Sequence, residues 1–191
     1  MARPREFEME EAIEGAMQIF WRLGYGATSL PELLDAMGLT RGSFYKAFGD
    51  KRAVYLLALE RYENQYISKG AASLKDQGNG APLERIIGLF ERSFAAEKIQ
   101  EKKGCLMCNA AIELAPSDAI VASLVRSMTE KMQTAFKEAL ASIPEQINKG
   151  KADVTLTAIA LTNLYFGAYT LSKSEEKSQD WRPVLTGLLS H

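Results

Sequence analysis

Residues 27–51, ATSLPELLDAMGLTRGSFYKAFGDK, decide how this chain folds. Ser29 and Glu32 have the S-x-x-E spacing of a capping box. Pro31 is tolerated in the first turn, where its missing N–H would have had no partner. Leu30, Leu33, Leu34 and Met37 then form the apolar stripe of a short helix. Gly38 breaks it, and Thr40 caps a second short helix that turns Phe44 and Phe48, four residues apart, inward. Gly49 ends that helix, and Asp50 is a good N-cap for a long one through Tyr55, Leu56, Leu59 and Tyr62 towards Leu74. Two short helices meeting at the glycine turn Met37–Thr40 predict a helix-turn-helix. In that arrangement the start of the second helix reaches base edges in the major groove. Arg41 would supply a forked donor for a guanine edge or a phosphate, with Thr40 and Ser43 beside it, and Gly42 would allow close approach.

Outward from this stretch the helical period continues in both directions. Upstream, Ile13, Ala16, Met17, Phe20 and Leu23 share a face, and Glu10, Glu11 and Glu14 suit the opening turns of a helix. Downstream, Gln77–Pro82 reads as a linker. Leu83, Ile86, Ile87, Phe90 and Phe94 resume the period, followed by a helix from Cys105 to Leu114. After the turn Ala115–Ser117, capped by Ser117 or Asp118, a long face carries Val121, Leu124, Val125, Met128, Met132, Phe136 and Leu140. Pro144 marks its end or a kink, and Asn148–Gly150 opens a connection. Val154–Leu171 is apolar almost all round, as expected of a helix with core on one side and a partner subunit on the other. Trp181–Leu189 is the last helix, after a break at Ser174–Ser178. The expectation is an all-α chain. A three-helix helix-turn-helix DNA-binding domain spans residues 6–66, and a long fourth helix covers about 50–75. A C-terminal helical bundle is expected over 82–191.

Composition neither announces nor forbids this. The chain has 191 residues, 47% of them hydrophobic and 25% charged, enough to bury a core without staples. Lys and Arg number 23 against 24 Asp and Glu, so an affinity for nucleic acid has to come from local charge. From Thr40 to Arg52, Arg41, Lys46, Lys51 and Arg52 stand against Asp50 alone, and Arg3 and Arg5 would extend the footprint as an arm. No window of 18 uncharged apolar residues predicts a membrane span. The opening MARPREFEMEE lacks the apolar run of a secretory signal. Two cysteines are too few for a disulfide framework, so a reducing cytoplasm is expected.

An enzyme is the weaker rival: the chain has no glycine-rich phosphate loop, no nucleophile elbow and a lone histidine, His191. No cofactor is expected, and Cys105, Cys108 and His191 do not make a four-ligand zinc set, so no metal is expected either. A helical adaptor is the other rival, but it would not need Arg41, Tyr45, Lys46 and Lys51 around one short helix.

With Phe20, Gly24-Tyr25, Ala27–Leu30, Leu33, Gly38-Leu39, Gly42–Tyr45, Phe48 and Lys51 in this order, Ile13–Lys51 resembles the N-terminal domain of TetR-family transcriptional regulators. The resemblance implies that Thr28 or Ser29 hydrogen-bonds a phosphate, as do Tyr45 and Lys46, and that Lys51 contacts the backbone from the fourth helix. Phosphate contacts set register, while Arg41, Thr40 and Ser43 read bases. It further implies that the bundle over 82–191 binds a ligand and dimerises, giving a homodimer, most often a repressor, on a palindromic duplex operator, released by an effector that favours the unbound state.

The effector's site is expected among Phe90, Phe94, Met107, Met128, Met132, Phe136, Tyr165 and Tyr169, although Met and aromatic stripes at helical spacing are usually just core. Gly104-Cys105-Leu106 also resembles the corresponding region of NemR-like members, some of which sense electrophiles or oxidants through a cysteine. A helix N-terminus beside Lys102 and Lys103 would lower the Cys105 pKa, and Cys108 would resolve a sulfenic acid. Plain packing of both thiols is the alternative.

Overall fold

The computed structural model describes the backbone of residues 3–95, 101–143, 153–174 and 179–189, and side chains from residue 9 onward. The side chains of Arg3 and Arg5, together with Pro144, residues 148–150, residues 175–178 and His191, lie outside the described residues. The described elements are helical throughout: α1 Arg3–Leu23, α2 Leu30–Met37, α3 Arg41–Phe48, α4 Lys51–Tyr62, α5 Ser68–Lys75, α6 Pro82–Ser93, α7 Leu106–Glu113, α8 Ala119–Ala141, α9 Val154–Leu171 and α10 Trp181–Leu189. The chain forms two compact units. One comprises Met1–Gln65 with Cys105–Val125, the other Tyr66–Gly104 with Arg126–His191.

Local chemistry sets the element ends in the first unit. Ser29 and Glu32 make the full capping box, and Gly38 closes α2 at φ 63°. Thr40 Oγ1 accepts from Ser43 N at 3.3 Å, and Asp50 Oδ1 from Ala53 N at 2.7 Å. The helix expected to run unbroken to Leu74 instead passes through a π-helical turn, Glu63–Ile67, between α4 and α5.

Helix α1 is buried on more sides than the expected stripe. Ile19 and Trp21 are buried along with Ala16, Met17 and Phe20, because α2, α4 and α7 all pack on α1. At α2 the approach is so close that a Cβ on Gly15 would stand 1.9 Å from the Ala36 carbonyl oxygen. On the α4 side, Phe20 meets Tyr55 edge-on at 5.0 Å and Trp21 meets Tyr62 at 5.0 Å. Phe44 is fully buried and pins α3, while Phe48 is half-buried.

In the second unit the presumed linker Gln77–Pro82 is an ordered turn between α5 and α6, held by Asp76 Oδ1 accepting from Gly78 N and by Asn79 Nδ2 donating to Ser73 O. Arg182 forks onto Glu84, with both distances 2.9 Å, tying α10 to α6. Helix α9 has the length and composition of a membrane span, with mean hydropathy 1.3. Ala158, Leu161, Thr162, Tyr165 and Phe166 are buried in the unit, while Leu156, Ile159 and Leu171 are exposed.

Candidate nucleic-acid interface

With Phe44 as its anchor, α3 turns its other side outward. Arg41, Gly42, Ser43, Tyr45 and Lys46 are all exposed, Tyr45 by 48%. A Cβ on Gly42 would meet nothing within 4 Å, so the outer surface at the helix start is open. Thr40 is exposed too, and its hydroxyl donates to Ser43 Oγ at 3.0 Å, which orients both hydroxyls at the N-terminus of α3. A cleft of about 500 Å³ runs beside the helix, bordered by Met9, Ala12, Leu39, Ser43, Lys46, Ala47 and Phe48.

The cationic set is smaller than its sequence count. Arg52 lies against Asp118, Nε 2.6 Å and Nη2 2.9 Å from the carboxylate oxygens, and the guanidinium draws the Asp118 carboxyl down to about 2. Lys51 is half-buried and donates from Nζ to Tyr25 O at 2.6 Å and Thr28 O at 2.5 Å, with burial drawing its pKa down. Arg41 and Lys46 remain as the exposed cations of α3. The fold closes off Thr28, one of the two expected phosphate donors. Thr28 is 1% exposed and its hydroxyl donates to Gly24 O at 2.6 Å, so no phosphate can reach it. Ser29, its alternative, is exposed and donates to Glu32.

The two cysteines are free thiols and both buried. Burial pushes the Cys105 thiol up. Hydrogen bonds from Cys108, from Tyr62 and from the N–H groups at the start of α7 outweigh it, and the net direction is down. The Tyr62 hydroxyl donates to Cys105 Sγ at 3.2 Å.

The aromatic residues expected around a ligand largely surround one another. Phe90, Phe94, Phe136, Tyr165 and Tyr169 cluster in the second unit with Trp181, whose ring lies 5.0 Å from Phe90 and 5.1 Å from Phe94. Ser93 and Tyr165 share a hydrogen bond of 2.8 Å inside it. Met128 and Met132 are buried in this unit, whereas Met107 belongs to the first. Phe94 also borders an open groove of about 320 Å³ between α9 and α10, with Asn163, Leu164, Gly167, Trp181 and Val184. Trp181 and Ser93 carried no sequence signal, since their partners are more than 70 positions away.

Residues 12–58 match the family model described as bacterial regulatory proteins, tetR family. An uncharacterised HTH-type transcriptional regulator of Bacillus subtilis, YezE, is 30% identical over 162 residues, 84% of this chain and 82% of that protein. Among solved structures, reduced E. coli NemR superposes with a TM-score of 0.78 at 21% identity, covering 95% of this chain and 94% of that one. A cysteine-substituted form of the TetR-family regulator CifR, complexed with 26-base-pair operator DNA, superposes with a TM-score of 0.76 at 24% identity, covering 93% of each chain. With a relative at this identity over most of both lengths and the reading head matched in sequence, the chain belongs to the TetR family of bacterial regulatory proteins.

Proposed function

We propose that this DNA-binding regulator acts as a homodimeric cytoplasmic repressor on a palindromic operator and leaves it when an effector binds. The observation that carries the DNA-reading part is the outer side of α3, where Arg41, Ser43, Tyr45 and Lys46 stand exposed around a buried Phe44. In this reading Ser29, Tyr45, Lys46 and the third N–H of Lys51 contact phosphates, while Arg41, Thr40 and Ser43 read bases beside Gly42. CifR's presence on operator DNA with the same fold supports it.

Dimerisation is supported by α9 and α10. Leu156, Ile159 and Leu171 are exposed on α9 and Leu188 on α10, and Gly167 and Gly187 leave open space where side chains would be. Glycine inside an exposed helix costs about 1 kcal/mol relative to alanine, a cost that makes sense where a second backbone approaches. The effector divides into two readings. The lowered Cys105 thiol with Cys108 beside it favours an oxidant or electrophile. The groove at Phe94 favours a small apolar molecule with one or two polar groups.

The test is a gel shift with the DNA upstream of the gene, with and without peroxide and reductant. A specific shift is expected, and its absence overturns the DNA-reading assignment. Tyr45→Ala should weaken binding to every sequence, whereas Arg41→Ala should relax preference at one base position per half-site by about 1–3 kcal/mol. A shift abolished by peroxide and restored by reductant selects the thiol reading, and an indifferent one selects the groove.

A further inference from the structure

The turn that leads from α1 into the helix-turn-helix is held from outside the motif. Gly24 leaves α1 at φ +84°, and the N–H groups of Tyr25 and Gly26 point the same way. Both donate to one oxygen of Glu113, at 2.7 and 3.2 Å. Glu113 is the last residue of α7, more than 85 positions downstream and beyond the residues that match the family model. Its other oxygen fills the space over Gly24, where a Cβ would stand 2.1 Å from it.

The carbonyls of the same turn are held from the other side. Lys51 Nζ donates to Tyr25 O and Thr28 O and lies 4.4 Å from the Tyr25 ring centroid, and the Thr28 hydroxyl donates to Gly24 O. An anion on the N–H groups and a cation on the carbonyls therefore grip one turn, residues 24–28, and the two charges attract. The capping box of α2 begins at the very next residue, Ser29. Asp118, five residues beyond the end of α7, makes a second anchor on α4 through Arg52.

We infer that Glu113 is a positioning residue for DNA recognition: its carboxylate, seated on the Tyr25 and Gly26 N–H groups, fixes the direction in which α2, and with it α3, leaves α1. The inference rests on α3 reading DNA, and it names a residue that touches no DNA itself. Without the carboxylate two N–H groups lose an ionised acceptor, the stronger kind of hydrogen bond, and Lys51 loses the larger of its two counter-charges, Glu32 being the other. The turn then samples other directions, and the reading helix meets its groove less often in register.

The sign of the effect separates this from simple electrostatics. Deleting a negative charge near a polyanion should tighten binding to DNA. Deleting a positioning residue should loosen it. The experiment measures operator affinity of the full chain across a salt series for the parent, Glu113→Ala and Glu113→Gln. Amide hydrogen exchange at Tyr25 and Gly26 is followed without DNA. Glu113→Ala is expected to bind about tenfold more weakly, within the usual range of coupling between separated sites. Its slope against salt should match the parent's, because no phosphate contact has been removed. Glu113→Gln, which keeps an acceptor, should recover part of the affinity, and both amides should exchange faster in the alanine variant.

Unchanged or tighter binding by Glu113→Ala overturns the inference, and so does unchanged exchange. If Glu113→Ala does not fold, Glu113→Gln decides: affinity at or above the parent's overturns it. A parent that binds no operator at all would instead overturn the DNA-reading assignment, and the exchange data would still decide whether Glu113 holds the turn.

Discussion

Cys105 is 1% exposed, and burial by itself would keep its thiol protonated. The Tyr62 hydroxyl, the Cys108 thiol and the opening N–H groups of α7 work against burial, and they win. Tyr62→Phe removes one donor and leaves the ring that packs edge-on against Trp21. The expected outcome is a raised Cys105 pKa, a hydrogen bond to a charged atom being worth about 1.5–3 kcal/mol. Thiolate absorbance of the folded chain followed against pH reads it, and an unchanged titration would show that Tyr62 does not activate the thiol. At this scale the cysteine pair and its place at a helix start were readable in sequence. Tyr62 was not, because it reaches Cys105 from 43 residues away. Thr28 shows the same limit: a hydroxyl at the foot of α2 reads as a phosphate donor until the fold buries it against Gly24 O.

Helix boundaries were readable because they are local. Ser29, Thr40, Asp50 and Asp118 all cap the helix that follows within three residues, so their hydrogen bonds need only a few neighbouring atoms. Asp118 does more, since it also binds Arg52 on α4, and that pairing has no sequence signature. Its carboxyl lies near 2 in the folded chain, against about 3.9 for a free aspartate. A depressed carboxyl stabilises the fold above its unfolded value and stops doing so as pH falls through the folded one. The contribution should therefore be full at pH 7 and fade between about 4 and 2. Asp118→Asn should melt a few degrees lower than the parent at pH 7, with the gap closing as pH falls towards 2. Calorimetry across that range checks it, and a gap that stays constant would mean the ion pair adds nothing. The π turn Glu63–Ile67 had no such local mark, and the apolar period runs through it without a break.

For the whole molecule, the least expected feature is membership. Cys105–Val125 packs with the first 65 residues although more than 35 residues intervene. The unit that carries the reading head thus also contains the two thiols, Glu113 and Asp118. A second large-scale feature is the exposed side of α9. A Cβ at Gly167 would meet nothing within 4 Å, so Gly167→Leu should leave a monomer's packing intact and raise its helix propensity. In a dimer closed over this side, the same leucine should push the two copies apart. Sedimentation at micromolar concentration is expected to show a parent dimer and a monomeric variant. A variant that stays dimeric would place the interface elsewhere.

What the sequence determined by itself is most of the helices, the caps of α2, α3, α4 and α8, the helix-turn-helix and its outward residues Arg41, Ser43, Tyr45 and Lys46. These follow from periodicity and from hydrogen bonds between near neighbours. Only the tertiary structure decided which charges stay exposed: Lys51 turns to the Tyr25 and Thr28 carbonyls, Arg52 to Asp118, and Glu113 to the turn before α2. It also decided that Phe90, Phe136, Met128 and Met132 fill core, with Trp181 closing the aromatic cluster. The physical reason is range. A cap or an apolar stripe is fixed within a few residues along one helix, whereas an ion pair or a packed ring needs two elements that only folding brings within a few ångströms.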